Sequence, residues 1–329
     1  MTITETDLIP PVSNSELQTW TRCKRKWYLT FVRELGLKGH EQPITGALAF
    51  GTRVHECLER MYVTGEDPLE VYEELHDRAT VQLIQRENLR GFLDADLRKK
   101  LQQERELGHA MLEGFVAWTQ ETGLDEGLQV AGAEVVVEVA SGVEGVRIRG
   151  KLDQRVYREI DGARLFRDWK TAANLKDGPA MLPLDEQMKF YMMLERLDSI
   201  AKNGDEPSEP TMGGLYTMLK KVKRTARAEP PFYDQVEVHH NKRELESMWL
   251  RTNKRITEMM EARRELDAGG DHRYWVYPRP SRDCHWDCDF LPVCPIMDEA
   301  PTENWEAMLS EWYEKKDPYE RYKQDEAKF

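Results

Sequence analysis

From residue 129 onward apolar and polar positions alternate in three successive runs. "QVAGAEVVVEVA" (129–140) and "GVRIRGKLDQRVYRE" (145–159) are rich in β-branched residues and read as strands, with "SGVEG" between them as a turn. "ARLFRDWKT" (163–171), entered through "IDGA", is a third strand. On either side the apolar spacing becomes helical. "SNSELQTWTRCKRKWYLTFV" predicts one helix capped by Ser13 or Ser15, with Leu17, Trp20, Trp27, Tyr28 and Phe31 recurring at helical intervals. A second helix is expected from about Ala47 to Tyr62, and a charge-rich, mostly helical region over 68–122. After the strands come a helix, "PLDEQMKFYMMLERLDSIAK", a strand, "GGLYTML", a basic proline-containing segment at 220–231 and another strand, "YDQVEVHH". A long charged helix over 241–267, the loop "YPRPSRDCHWDCDFLPVCP" and a helical tail complete the chain. Residues 1–12 read as a leader ending in "PP". With no internal repeat, the pattern predicts an α/β fold in a single domain, 1–329: a mainly helical part at 13–125, a core at 130–240, a cysteine-bearing segment at 278–297 and a tail at 298–329.

Composition narrows the class. The 329 residues are 40% hydrophobic and 33% charged, enough to bury a substantial core. No apolar run approaches the roughly 20 residues that cross a bilayer, and "MTITETDLIPPVSNSEL" has no secretion-signal pattern, so the expectation is a cytoplasmic protein without a membrane. A net charge of −13 opposes a uniformly basic surface, although cations cluster at "RCKRK" (22–26), "LKKVKRTARA" (219–228) and "NKR…RTNKR" (241–255). Such clusters are equally the solvated faces of helices, so charge alone names no partner. Five cysteines, an odd number, argue against a disulfide framework and leave metal binding or free thiols.

The chemistry lies on the strands. Alternation along "VRIRGKLDQRV" puts Val146, Ile148, Leu152 and Val156 on one face and Arg147, Arg149, Lys151, Asp153 and Arg155 on the other. In the third strand Asp168 and Lys170 share a face, with Leu165 and Trp169 opposite. If the two strands pair as a hairpin, Asp153, Asp168 and Lys170 converge. Two carboxylates so placed repel unless a cation lies between them, and their hard oxygens suit Mg²⁺ or Mn²⁺. The bland alternative is an ordinary exposed ion pair on an edge strand. Gln187 and Tyr191, four apart on the following helix, and His55 on an upstream helix are the further polar candidates.

The succession "GTRVHECLE", "GKLDQRV", "FRDWKTA" and "EQMKFY" resembles the PD-(D/E)XK nuclease superfamily, specifically its RecB-like branch, which includes the nuclease domains of RecB and AddB, CRISPR-associated adaptation nucleases and many phage exonucleases. The motifs stand in that family's order across residues 13–297. The resemblance implies a restriction-endonuclease-like central mixed sheet flanked by helices. It also implies that His55, Asp153 and Asp168 are metal ligands, with the Trp169 carbonyl as a further one. Lys170 would orient and help deprotonate the attacking water or stabilise charge on the phosphate. Gln187 and Tyr191 match the helix motif that contacts the active site and DNA. Glu134 is the best match for an acidic residue on the preceding strand, with Glu138 on the same face. Asp168 stands where many relatives carry Glu, a shorter reach. Phosphodiester hydrolysis needs an activated water, an electrophile on the phosphate oxygens and neutralisation of the leaving oxygen, which bound metal ions supply. Lys170 as a neutral base requires a depressed pKa, for which burial or a nearby cation such as Arg149 could suffice.

The cysteines extend the resemblance. Cys284, Cys288 and Cys294 lie close together, and Cys23 sits far upstream in "TRCKRKWYL". One early and three late cysteines resemble the staple of AddB-type and CRISPR-associated nucleases, in which four thiolates hold a [4Fe–4S] cluster; the gap between Cys284 and Cys288 is one residue longer than usual there. Zn²⁺ with Cys23 or His285 as fourth ligand, and unligated thiols, are the alternatives. Cys57 reads as a buried thiol. The function implied is a metal-dependent DNA exonuclease acting at DNA ends or on single strands, in recombination, replication or repair in a prokaryotic or phage-infected cell. A helicase or recombinase is a candidate partner, since no Walker-type motif places a motor on this chain. The alternative is a non-catalytic or partner-dependent DNA-binding iron–sulfur protein with a nuclease-like fold.

Overall fold

The computed structural model describes residues 9–39, 44–90, 95–204, 212–299 and 301–323; most of the leader and the last residues of the tail lie outside them. A short strand, β1 (Val12–Ser13), leads into α1 (Asn14–Arg22), whose cap is the Ser13 hydroxyl accepting from the Glu16 amide at 3.2 Å. The expected single helix breaks at Cys23, which is extended (φ −160°, ψ 112°), and resumes as α2 (Lys24–Trp27) and a π-helical turn, Tyr28–Val32. The Thr19 and Thr21 hydroxyls donate back to the Ser15 and Leu17 carbonyls, a competition with the helix ladder that loosens its end. β2 (Leu35–Leu37) follows, then α3 (Ala47–Thr64), α4 (Pro68–Arg90) and α5 (Ala95–Thr122). β3 (Leu128–Ala140), β4 (Arg147–Arg158) and β5 (Arg164–Ala172) occupy the three alternating runs. Then come α6 (Asp177–Met181), α7 (Glu186–Asn203), β6 (Met212–Lys220), β7 (Tyr233–Val238) and α8 (Lys242–Asp267). The loop beyond carries single-turn helices α9 (His272–Trp275), α10 (Cys284–Asp287) and α11 (Ile296–Glu299), before α12 (Thr302–Trp312) and β8 (Tyr313–Lys315).

The chain divides into two compact units: residues 1–41, 136–150 and 242–329, and residues 42–135 and 151–241. In the second unit β4 and β5 are antiparallel, with Gln154 opposite Arg167; β5 and β6 are parallel from Arg164–Met212 to Ala172–Lys220; β6 and β7 are antiparallel. The parallel step needs a crossover, which α7 supplies. The pleat sends alternate residues into two apolar layers. Trp169 and Leu219 join Phe50, Val54, Met111 and Phe115 in a core with α3 and α5. Phe166 faces the other way, its ring edge-on to Tyr191 of α7 at 5.6 Å between centroids. Met188 and Phe166 fill the space over Gly214, where a Cβ would fall 2.4 Å from Met188 Cε. The result is the expected mixed sheet flanked by helices.

In the first unit β1 runs parallel to the start of β4, with Val12 opposite Ile148, and β2 pairs antiparallel with β8, with Leu35 opposite Lys315. Leu29, Phe290, Val293, Met297, Trp305 and Leu309 form its core with Tyr313. Glu16, in the first turn of α1, is buried, accepting from Trp27 Nε1 at 3.0 Å and Tyr319 Oη at 2.6 Å.

Candidate active site

The β4–β5 ladder runs to Gln154 opposite Arg167, and the next residues of the two strands are Asp153 and Asp168. Here a side chain takes over a backbone role: the Trp169 amide donates to Asp153 Oδ2 at 2.8 Å. The Asp168 side chain is only 3% exposed, and Lys170 Nζ lies 2.8 Å from its Oδ1 and 2.7 Å from its Oδ2. Of the two contacts only the first is a hydrogen bond; Oδ2 is buried without one among the described residues. His55, on α3, brings Nδ1 to 3.6 Å from Asp153 Oδ2, a charge contact too long for a hydrogen bond. Its ring stands edge-on to that of Trp169, 6.2 Å between centroids. The hairpin expectation therefore holds, and His55, Asp153, Asp168 and Lys170 converge.

Electrostatics separates the two carboxylates. Burial drives the Asp168 pKa up to about 6, with Asp153 adding to the rise and Lys170 opposing it. Asp153 is pushed up by burial too, but the contacts from His55, Lys170 and the Trp169 amide prevail and leave its pKa below the ordinary value. Burial works to lower His55, and the Asp153 carboxylate more than offsets it, so the imidazole's pKa is raised. Lys170 corrects an expectation. Burial alone would depress its pKa, yet Asp168 and Asp153 reverse the sign and hold the amine as an ammonium. Arg149, invoked to depress it, is engaged elsewhere: Nε donates to the Pro11 carbonyl at 3.0 Å and the guanidinium lies 4.7 Å from the Tyr319 ring centre.

The α7 residues are positioned by its first turn. Asp185 caps the helix by accepting from the Gln187 and Met188 amides, and Gln187 Nε2 donates to Tyr191 Oη at 3.1 Å. Tyr191 is buried and acts electrostatically on Lys170, which places the Gln187–Tyr191 pair beside the carboxylate cluster. Glu134 is held by an ion pair with Lys151, and Glu138 pairs with Arg147 at 2.8 Å. Glu134 also adopts φ +51°, a strained conformation for a non-glycine residue in a strand and of the sort that gathers at functional sites.

Tyr216 was not among the sequence candidates. It stands opposite Asp168 in the β5–β6 ladder, and burial raises its pKa while Lys170, Asp168 and Asp185 act on it. Its position becomes visible only once "GGLYTML" is known to pair in parallel with the Asp168 strand. Arg167 supports the opposite side of that strand: fully buried, it donates to Gln154 Oε1 at 3.0 Å and Asp125 Oδ1 at 2.7 Å under the ring of Tyr62, which stacks on Trp169.

The two carboxylates are hard donors that suit Mg²⁺ or Mn²⁺, and the imidazole, a borderline donor, favours Mn²⁺ of the two. The buried Oδ2 of Asp168, satisfied only by a neighbouring positive charge, is what such an ion would engage. As the side chains stand, no three His, Cys, Asp or Glu residues among those described enclose a metal. Asp168 is paired with Lys170, and Asp153 with His55.

Cys23, Cys284, Cys288 and Cys294 all belong to the first unit, unpaired and partly exposed. They share a neighbourhood: burial raises the Cys288 pKa and Cys284 and Cys23 add to it, while Cys23 acts on Cys294 as well. Donors surround the sulfurs. The Ser281 amide lies 3.4 Å from Cys284 Sγ, and Arg25 Nη1 lies 3.7 Å from Cys294 Sγ. Cys57 is fully buried, its pKa pushed up to about 12 by burial, as an inert thiol should be.

Among known proteins, a presumed exonuclease from Eubacterium rectale is 11% identical over 88% of this chain and 92% of its own, with a TM-score of 0.45. The protein SSO0001 is 12% identical over 86% of this chain and 95% of its own, with a TM-score of 0.29. No curated protein sequence matches. The sequence profile of the PD-(D/E)XK nuclease superfamily matches residues 11–295, a span that includes His55, both aspartates, Lys170 and all five cysteines. With that match over most of its length, the chain belongs to the PD-(D/E)XK nuclease superfamily.

Proposed function

We propose that the protein is a metal-dependent DNA exonuclease of the RecB-like type, hydrolysing phosphodiester bonds at DNA ends or in single strands. The observation that carries the reading is the group of Asp153, Asp168, Lys170 and His55 at the end of the β4–β5 ladder, with Asp168 buried and the other three half-buried. Burying two carboxylates side by side is costly, and a fold that needed only stability would replace them by apolar residues.

Asp153, Asp168 and His55 would hold the ion, with the Trp169 carbonyl as a further donor. A bound Mg²⁺ or Mn²⁺ would polarise the phosphate and make an attached water more acidic. Lys170, kept protonated by Asp168, serves the phosphate oxygens as a fixed positive charge instead of acting as the base. Tyr191, whose hydroxyl accepts from Gln187, and Tyr216, opposite Asp168 in the β5–β6 ladder, act electrostatically on the Asp168–Lys170 pair. Glu134 stands on the neighbouring strand, held by Lys151.

The four cysteines are the proposed ligands of a [4Fe–4S] cluster. Their shared neighbourhood and the N–H donors on Cys284 and Cys294 support that reading, with Zn²⁺ as the second occupant to test. The role proposed for the protein is DNA end processing in recombination, replication or repair, in the cytoplasm of a prokaryotic or phage-infected cell, alone or beside a helicase or recombinase. No helix among the described residues is long and apolar enough to cross a membrane.

The test compares linear and covalently closed circular DNA, single- and double-stranded, with Mn²⁺ or Mg²⁺. Mononucleotides or short fragments released from linear molecules, with circles spared, are the expected result. Cutting of circles at an equal rate would make the protein an endonuclease. A fully metallated protein that cuts neither would give way to the DNA-binding reading.

A further inference from the structure

A cavity of about 420 Å³ lies within the first unit. Its walls come from α1, α2, α8 and the 273–277 segment, and four of its lining residues are aromatic: Trp20, Tyr274, Trp275 and Tyr277. Two of these are in water, Tyr274 at 71% and Tyr277 at 48% exposure, whereas Trp20 is buried against Trp27. Tyr274 and Trp275 stand edge-to-face at 5.1 Å. Lys24 bridges the two sides, its Nζ 4.6 Å from the Trp20 ring centre and 4.9 Å from that of Tyr277. Arg273 lies at the cavity too, as do Glu258 and Glu261.

The chemistry of the walls selects among ligands. The volume suits a group of nucleoside size. Arg273 is already paired with Asp271 at 2.8 Å and Lys24 is seated between two aromatic rings, so a bare phosphate gains little. A cationic ligand meets aromatic faces already taken by Lys24. A planar ring with hydrogen-bonding edges fits: Tyr274 offers an exposed stacking face and Tyr277, with Lys24 on one side of its ring, is still 48% exposed; the carboxylates accept from exocyclic amines, and Lys24 lies within reach of a flanking phosphate. We propose that this cavity is a base-stacking subsite for single-stranded nucleic acid, with Tyr274 and Tyr277 as the platform. The inference rests on the reading of the protein as a DNA-processing nuclease, and it names where that strand is held, outside the hydrolytic group.

The test uses the full chain carrying Asp168→Ala, so that bound DNA stays intact, with a fluorescent single-stranded 12-mer of mixed sequence as the probe. Tyr274→Ala and Tyr277→Ala are each expected to weaken binding about 5- to 100-fold, the size of one lost base stack. Tyr274→Phe and Tyr277→Phe keep the ring and should retain the affinity, which separates stacking from misfolding. Tryptophan fluorescence, quenched by the 12-mer through Trp20 and Trp275, should lose part of that response in the alanine variants, and inorganic phosphate at millimolar concentration should not compete. Unchanged affinity in both alanine variants overturns the subsite, as does full competition by phosphate. The outcome is separable from the catalytic reading: a wild type that binds through Tyr274 and Tyr277 yet cuts no DNA loses only the nuclease, and one that cuts but binds equally well without the two rings loses only the subsite.

Discussion

Two residues separated by one position, Asp168 and Lys170, define the chemistry at the smallest scale. The same alternation that puts them on one face of β5 puts Trp169 into the α3–α5 core, so the strand is anchored by its central residue while its polar neighbours are presented together. Lys170→Met removes the ammonium that Asp168 and Asp153 hold charged, and the cleavage rate is expected to fall about 10²- to 10³-fold, the usual span for one electrostatic donor to the transition state. The KM for DNA should change far less, and steady-state kinetics on a labelled oligonucleotide reads both. Metal binding is separable from turnover. Mn²⁺ at about 100 times its Kd should stabilise the folded protein by about 2.7 kcal/mol. Asp168→Ala should erase that thermal shift, and an equal shift in the variant would place the ion elsewhere.

At the scale of elements, α7 is fixed to the sheet by charge at its middle and by apolar contact at its start. Glu195 and Asp198 are buried carboxylates that meet Arg155 of β4 and Arg164 of β5, with Lys202 on Asp198 at 3.0 Å. Burial alone would raise the Asp198 pKa, but Arg164 and Lys202 prevail and lower it below its ordinary 3.8. A carboxylate depressed in the folded state contributes stability above its unfolded pKa and loses that contribution as pH falls through the folded value. Asp198→Asn should therefore cost about 3 kcal/mol at pH 7, the lower end for a broken buried pair because Glu195 still serves both arginines. The gap between variant and wild type should close below about pH 3.8, as followed by urea unfolding. A gap independent of pH would mean that the lost packing, not the charge, set the cost.

The strands and long helices were legible because their periodicity extends over many residues, and Asp153, Asp168 and Lys170 followed from alternation plus one assumption, the hairpin. What was hidden depends on pairing distant in sequence or on very short elements. β1, β2 and β8 have two or three residues each, too few to show a period, and only the pairing of β1 with β4 and of β2 with β8 makes them strands. Tyr216 waits on a parallel register across the α7 crossover. The break at Cys23 was masked by the helical spacing on either side of it.

At the scale of the molecule, the first unit gathers segments from both ends of the chain. Its ends meet through Arg22 with Asp283 and Asp287, Arg25 with Asp298, and Arg33 with Glu306. The exposed Arg22 pairs contribute little individually and only Arg25 is buried, so a metal centre on Cys23, Cys284, Cys288 and Cys294 would be the stronger clasp. Cys288→Ala is expected to abolish the brown chromophore of anaerobically purified protein and to lower its melting temperature. Retention of both would remove the cluster from the account without touching the catalytic group, since the cysteines and the carboxylates belong to different units.

The central claim is that the Asp168 strand cuts DNA. The most direct measurement is the initial rate of nucleotide release from end-labelled linear DNA in Mn²⁺, by wild type and by an Asp168→Ala variant of matched melting temperature and matched iron content. Release by the wild type and a rate lower by at least about 10²-fold in the variant are the expected result. Equal rates from the two proteins, or no release from a fully metallated wild type, would contradict the claim.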